Sequence, residues 1–287
     1  MTVKTTAGAV LAQAVEQLRA TSLEDAAATT ALDAQLLLAH ALGVTRARLM
    51  SHPELAVEPA TARRYAALIA RRAAGEPLAY LTGTRDFWSL RLTVSRAVLV
   101  PRPETELLVE RALRLCAARE ARVADLGTGS GAVALALASE RPQWRVTATE
   151  VSTEALAVAR ANAAQLGISV EFRQGSWFEP LAGSRFDLLV SNPPYVAADD
   201  PVLMRGALAH EPRLALTPGA DALACLRAIV RGAAQHLVRG GWLVLEHGAQ
   251  QGEQLRAELV LAGFAYVRSH RDLAGHERVT EAQHDQI

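Results

Sequence analysis

The sequence predicts an α/β protein: a mainly parallel sheet covered by helices on both faces, preceded by a small all-helical domain and a β-hairpin. Three observations carry this. From Ala121 onward, short apolar runs alternate with glycine turns and helical stretches, the pattern of a parallel sheet whose crossovers are helices. The first 75 or so residues show helical periodicity and no strand signal. Between these regions, residues 84–100 contain aromatic and β-branched runs broken by a short polar pair. A length of 287 residues suits about two domains. We therefore expect a helical domain over 1–83, a linking hairpin over 84–100 and an α/β domain over 101–287.

In the helical domain, Met1 to Ala20 reads as an amphipathic helix with Val10, Leu11, Ala14, Val15 and Leu18 on one face. Gln13, Glu16, Gln17 and Arg19 interrupt its apolar run, which argues against a signal peptide. Leu32, Leu36, Ala39 and Leu42 form a second stripe, with Gly43 placed as a C-cap. Pro59 opens a third helix with Tyr65, Leu68 and Ile69 on its apolar face, and Gly75 closes it. The pairs Arg63–Arg64 and Arg71–Arg72 read as a solvated helix face.

The hairpin is expected as Phe87–Val94 and Ala97–Val100 around a Ser95-Arg96 turn, with a helix from Glu104 to Arg119 after Pro101 and Pro103. The α/β pattern follows. Strands are expected at Val123–Leu126, Trp144–Thr149, Val170–Arg173, Phe186–Val190 and Trp242–Glu246. Helices are expected at Ala132–Ala138 and, capped by Ser152, on to Gln165.

Composition narrows the function classes. Thirty basic residues balance thirty acidic ones, and the first 75 residues hold eight basic against six acidic. That argues against coating nucleic acid or an anionic membrane by charge. Half the residues are hydrophobic, enough for a sizeable core. No apolar run reaches the roughly 18 residues of a membrane span. The two cysteines, Cys116 and Cys225, have no partners at metal-ligand spacing, and no metal is expected. A cytoplasmic monomer is the expectation.

Two loops carry chemistry. Asp125-Leu126-Gly127-Thr128-Gly129-Ser130-Gly131 joins the first parallel strand to its helix, and glycines there let a ligand approach the main chain. Glu150 ends the next strand, 19 residues after Gly131, where a carboxylate can accept both hydroxyl hydrogens of a ribose. The same string fits a permissive dinucleotide pattern, Gly127-x-Gly129-x-x-Ala132, so a nicotinamide oxidoreductase stays open. The second loop is Asn192-Pro193-Pro194-Tyr195, after the fourth strand. Asn192 offers a side-chain carbonyl, Pro193 a backbone carbonyl with no competing N–H, and Tyr195 a flat ring with a polar tip. Two acceptors and a ring suit a planar NH₂ group. Accepting both of its hydrogens pushes electron density onto a nitrogen whose lone pair is otherwise delocalised.

Asp125-x-Gly127-x-Gly129-x-Gly131, Glu150 and Asn192-Pro193-Pro194-Tyr195 together resemble class I S-adenosylmethionine-dependent methyltransferases that modify amino groups. Further strings narrow the likeness. These are Gly75-Glu76-Pro77-Leu78-Ala79-Tyr80-Leu81-Thr82-Gly83 before Phe87-Trp88, Val100-Pro101-Arg102-Pro103-Glu104-Thr105-Glu106, Glu211-Pro212, Leu245-Glu246-His247-Gly248, and Arg271-Asp272-Leu273-Ala274-Gly275-His276-Glu277-Arg278. All are similar to the peptide chain release factor glutamine methyltransferase family, over nearly the whole chain.

The resemblance implies a Rossmann-like class I methyltransferase fold with an antiparallel C-terminal strand. It implies methyl transfer from S-adenosylmethionine, leaving S-adenosylhomocysteine, to the glutamine side-chain nitrogen in the Gly-Gly-Gln loop of bacterial release factors. Gly127, Thr128, Gly129, Ser130 and Gly131 would then contact the methionine end of the cofactor, Glu150 its ribose, and Trp177 its adenine. Asn192 would touch cofactor and substrate, with Pro193, Pro194 and Tyr195 completing the glutamine pocket. Asn192, Pro193 and Tyr195 would carry catalysis, and the helical domain would recognise the substrate protein. Arg102 and Glu104 would order the hairpin, line the cleft or form an interdomain salt bridge. Two positions depart from the family pattern. Glu150 stands where Asp is frequent, and His210 precedes Glu211-Pro212 at the lip of the pocket where an aromatic residue is common. The rivals are a methyltransferase acting on a ribosomal protein glutamine or a nucleic-acid base, the oxidoreductase, and a non-catalytic scaffold.

Overall fold

The structure is a computed structural model that describes residues 5–21 and 29–285. Met1–Lys4, included in the first expected helix, lie outside the described residues. The chain divides into two compact units: 1–83 together with Met204–His210, and Thr84–Leu203 together with Glu211 onward.

The small unit is built from α1 (Ala7–Thr21), α2 (Thr30–Leu42), α3 (Arg46–Ser51), α4 (Pro59–Ala73) and α5 (Leu78–Thr82). Its core gathers Leu18, Leu37, Leu38, Leu49, Tyr65 and Ile69. Pro59 does open α4, and Tyr65, Leu68 and Ile69 are its buried face. The stripe expected on α2 is met in part: Ala39 is buried and Leu36 and Leu42 are half-buried, but Leu32 is exposed. Ala34, Leu37, Leu38 and Ala41 supply the rest of the buried face, because the run Leu36-Leu37-Leu38 satisfies more than one helical face. The arginine pairs are not simply solvated either. Arg72 binds the buried Asp33 at 2.8 Å. Arg71 makes a two-pronged contact with buried Glu76 at 2.8 and 2.7 Å, and Arg64 donates to the Ala41 carbonyl that ends α2. Met204–His210, distant in sequence, belongs to this unit: His210 Nε2 bonds the Ala74 carbonyl at 3.0 Å.

The large unit begins with a hairpin, β1 (Thr84–Phe87) and β2 (Leu90–Thr93). Its turn is Trp88-Ser89, not Ser95-Arg96, and Ala97–Val100 is not a strand. The turn carries no glycine or asparagine to signal it. Trp88 takes φ 55°, held by its backbone N–H on Glu106 at 2.8 Å and its indole N–H on Glu140 at 2.7 Å. α6 (Glu106–Leu115) is shorter than expected and follows a 3₁₀ turn over Pro103–Thr105.

There follow β3 (Arg122–Leu126), α7 (Ala132–Glu140), β4 (Arg145–Glu150), α8 (Thr153–Leu166), β5 (Glu171–Gln174), β6 (Phe186–Ser191), α9 (Arg213–Leu216), α10 (Ala224–His236), β7 (Leu237–Glu246), α11 (Gly252–Leu261), β8 (Ala265–Arg271) and β9 (Glu277–Gln283). Seven strands form one sheet in the order β5-β4-β3-β6-β7-β9-β8. β3 lies parallel between β4 and β6, β7 runs parallel to β6, and β9 is antiparallel to both of its neighbours. Alternate residues of β3 feed opposite faces. Val123 joins the core with Leu108 and Leu135, and Ala124 and Leu126 join the one with Leu226 and Leu243. In α7, Ala132 to Ala138 are all buried, and its alanines let it press close to the sheet. The order of strands reverses at β3, so the carboxyl ends of β3, β4 and β6 frame a crevice where such sheets bind ligands.

Candidate active site

A cavity of about 420 Å³ opens at those strand ends, within the size range of small-molecule sites. Its wall includes Gly127, Thr128, Gly129, Ser130, Glu150, Trp177, Asn192 and Pro194, with Asp125, Arg102 and Thr105. The expected site residues therefore converge, except that Gly131, Pro193 and Tyr195 do not line the cavity.

The glycine loop is anchored from below. Gly127 and Thr128 donate to the Thr149 carbonyl at 2.9 and 3.0 Å. Asp125, buried at the end of β3, accepts the Thr128 hydroxyl at 2.7 Å and the Ala134 N–H at 3.2 Å. Burial pushes its carboxyl up to about 6, against those two hydrogen bonds. Gly127, Gly129 and Gly131 all have positive φ, 74°, 57° and 85°, which side chains other than glycine rarely adopt. A Cβ on Gly127 would lie 3.0 Å from the Trp177 ring, and one on Gly131 would meet Leu135 and Ala159. So Gly127 makes room for the indole, and Gly131 for helix packing. Trp177 is itself held at φ 44°, a strained state that clusters at functional sites.

Glu150 reaches back into the loop. Its Oε2 accepts the Gly129 N–H at 2.9 Å and its Oε1 the Ser152 N–H at 3.0 Å. The methylene that distinguishes it from Asp spans this gap. A carboxylate has about four lone-pair sites, so two remain for ribose hydroxyls.

Asn192 Nδ2 donates to the Thr105 hydroxyl at 3.1 Å, and among the described residues nothing donates to its Oδ1 or to the Pro193 carbonyl. Tyr195, half-buried, packs against the core that holds Leu189 and Leu245, and it donates its hydroxyl to Glu246 at 3.2 Å. Gln251 holds the Tyr195 carbonyl at 3.0 Å. Arg102 pairs with buried Glu211, which also accepts the Val100 N–H at 3.0 Å. Both belong to the large unit. His210 lies in the other unit and does not line the cavity.

Sequence reasoning missed three residues. Asn162, 1% exposed, bridges the hairpin and the glycine loop through Thr93 and the Ser130 carbonyl. Thr105 and Glu246 stood only inside longer strings, and no local signal marks a buried polar group reached across the fold.

A doubly wound sheet with a glycine loop, an acidic residue ending the next strand and Asn-Pro-Pro-Tyr after the fourth is a Rossmann-like methyltransferase. The family model described as methyltransferase small domain matches residues 103–221, and that described as PrmC N-terminal domain matches residues 9–83. The chain belongs to the release factor glutamine methyltransferase family. It is 52% identical over 251 residues to the release factor glutamine methyltransferase of Xylella fastidiosa strain Temecula1, covering 87% of this chain and 91% of that one. It is 46% identical over 278 residues to that of Vibrio cholerae, covering 96% of each. A crystal structure of a methyltransferase from Pyrococcus furiosus superposes with a TM-score of 0.54 at 18% identity, over 76% of this chain and 98% of that one; it shows the shared fold.

Proposed function

We propose that this protein transfers a methyl group from S-adenosylmethionine to the side-chain amide nitrogen of the Gly-Gly-Gln glutamine in peptide chain release factors. The observation that carries it is Asn192: its NH₂ is committed to Thr105, so its carbonyl oxygen is the end available to an incoming amide.

The cavity fits the cofactor. Its volume suits a nucleoside with a methionine arm, Glu150 keeps acceptor capacity for the ribose, and Trp177 offers a ring against Gly127. When bound, the cofactor supplies an electrophilic methyl on a sulfonium sulfur. The protein's own work is positioning. Asn192 Oδ1 and the Pro193 carbonyl accept the two amide hydrogens, which raises electron density on nitrogen and aims its lone pair. Pro194 walls the cavity, and Tyr195 is pinned at its hydroxyl and its carbonyl so that the loop keeps its shape. We assign recognition of the substrate protein to the helical unit, and expect the enzyme to be monomeric and cytoplasmic. Among the described residues no helix is long and apolar enough to cross a membrane.

The test is methylation of purified release factor with labelled cofactor. Asn192→Ala should abolish transfer while leaving the circular dichroism spectrum and melting cooperativity intact. Near-normal turnover by that variant would overturn the assignment.

A further inference from the structure

Behind Asn192 stands a buried carboxyl at the end of β7. Glu246 is 1% exposed. Its Oε1 accepts the Tyr195 hydroxyl, while its Oε2 is buried with no hydrogen-bond partner among the described residues. Thr105, also buried, accepts from Asn192 and lies beside the same carboxyl, where its hydroxyl favours the ionised form of Glu246. A threonine hydroxyl has one hydrogen to give. With an Asn192 N–H on its lone pair, that hydrogen is left for the Glu246 oxygen that needs a donor.

We propose that Glu246 is a positioning residue whose ionised carboxylate sets the direction of the hydrogen bonds through Thr105, and so turns the Asn192 carbonyl oxygen toward the substrate amide. The inference rests on Asn192 being the residue that grips that amide. A carboxylate only accepts. Thr105 and Tyr195 must therefore both donate to it, and Thr105 must accept from Asn192. A protonated Glu246 can donate to Thr105 instead. Thr105 then donates to Asn192, whose amide rotates and presents N–H groups to a substrate that also offers N–H groups. The proton comes from solvent and returns to it; no bond to carbon changes.

The surroundings place this switch near neutrality. Burial drives Glu246 up to about 7, opposed by the hydroxyls of Thr105 and Tyr195 and by Arg278, and assisted by Glu104. Arg278 faces it from β9, Glu104 and Thr105 from the turn before α6, and Tyr195 from the loop after β6. Arg102 lies near enough to act on the Tyr195 hydroxyl. His247, next along the chain, is held below its ordinary value by burial.

The experiment measures kcat for release factor methylation from about pH 5.5 to 8.5, with cofactor affinity by calorimetry. The proteins are wild type, Glu246→Gln, Thr105→Val, Thr105→Ser and Asn192→Ala, each checked for folding by circular dichroism. In wild type kcat should rise with pH around a midpoint near 7, and Thr105→Ser should keep that rise. Glu246→Gln and Thr105→Val should lose it, with kcat at the alkaline end lowered about tenfold or more and cofactor affinity changed less than about threefold. Thr105→Val leaves Glu246 in place, so it reads the link even if Glu246→Gln folds poorly. An acid limb that survives in either variant overturns the proposal. If Asn192→Ala turns over normally, the underlying site assignment fails. If Asn192→Ala is dead while both variants keep the limb, only the role of Glu246 fails.

Discussion

Asp125 shows how one side chain can favour the site and tax the fold. Its carboxylate holds the Thr128 hydroxyl and the start of α7, yet burial raises it from 3.8 to about 6. The folded state thus binds this proton more tightly than the unfolded chain. Its contribution to stability is complete below the unfolded value and is lost as pH rises through about 6. Asp125→Asn removes that slope. The stability of the variant relative to wild type should climb between about pH 4 and 7, by up to about 3 kcal/mol. Urea melts across that range measure it, and a difference that stays constant with pH would refute the account.

At the scale of elements, two glycines of equal conformational need separate strain from function. Gly167 ends α8 at φ 66° with open space where a Cβ would go, while Gly127 has φ 74° and the Trp177 ring 3.0 Å from that position. Gly167→Ala should cost about 1 kcal/mol in stability and leave cofactor affinity unchanged. Gly127→Ala should match or exceed that cost and weaken the cofactor at least about tenfold, because the indole must also move. Melting and calorimetry on the two variants decide it. The same elements show what the sequence discloses. The parallel strands and α7 were legible because fully buried runs such as Val123-Ala124 and Leu188-Leu189-Val190 have no polar interruption. The glycine loop, Glu150 and Asn192 were legible through their spacing: three glycines at alternate positions after a buried run, a carboxylate ending the next one, and an Asn-Pro-Pro-Tyr string after a third. The hairpin turn was not, since Trp88 holds a positive φ only through Glu106 and Glu140, both far along the chain. The face of α2 and the partners of Arg71 and Arg72 were hidden for the same reason: tertiary contacts chose among options the local pattern left equal.

For the whole molecule, net charge is the informative quantity. A chain with 30 basic and 30 acidic residues carries no net charge to draw in a polyanion. Its activity on release factor should change less than about twofold between 50 and 200 mM salt, and stripped RNA or DNA should accept no label. An enzyme held on nucleic acid by several phosphate contacts would lose about a thousandfold over that interval.

The return of Met204–His210 to the small unit has a consequence for how the protein is made. On the ribosome the first 83 residues emerge long before the segment that finishes their packing. The amino-terminal helices therefore complete their packing only after most of the second unit has been synthesised, so the folding of the first unit overlaps the translation of the second.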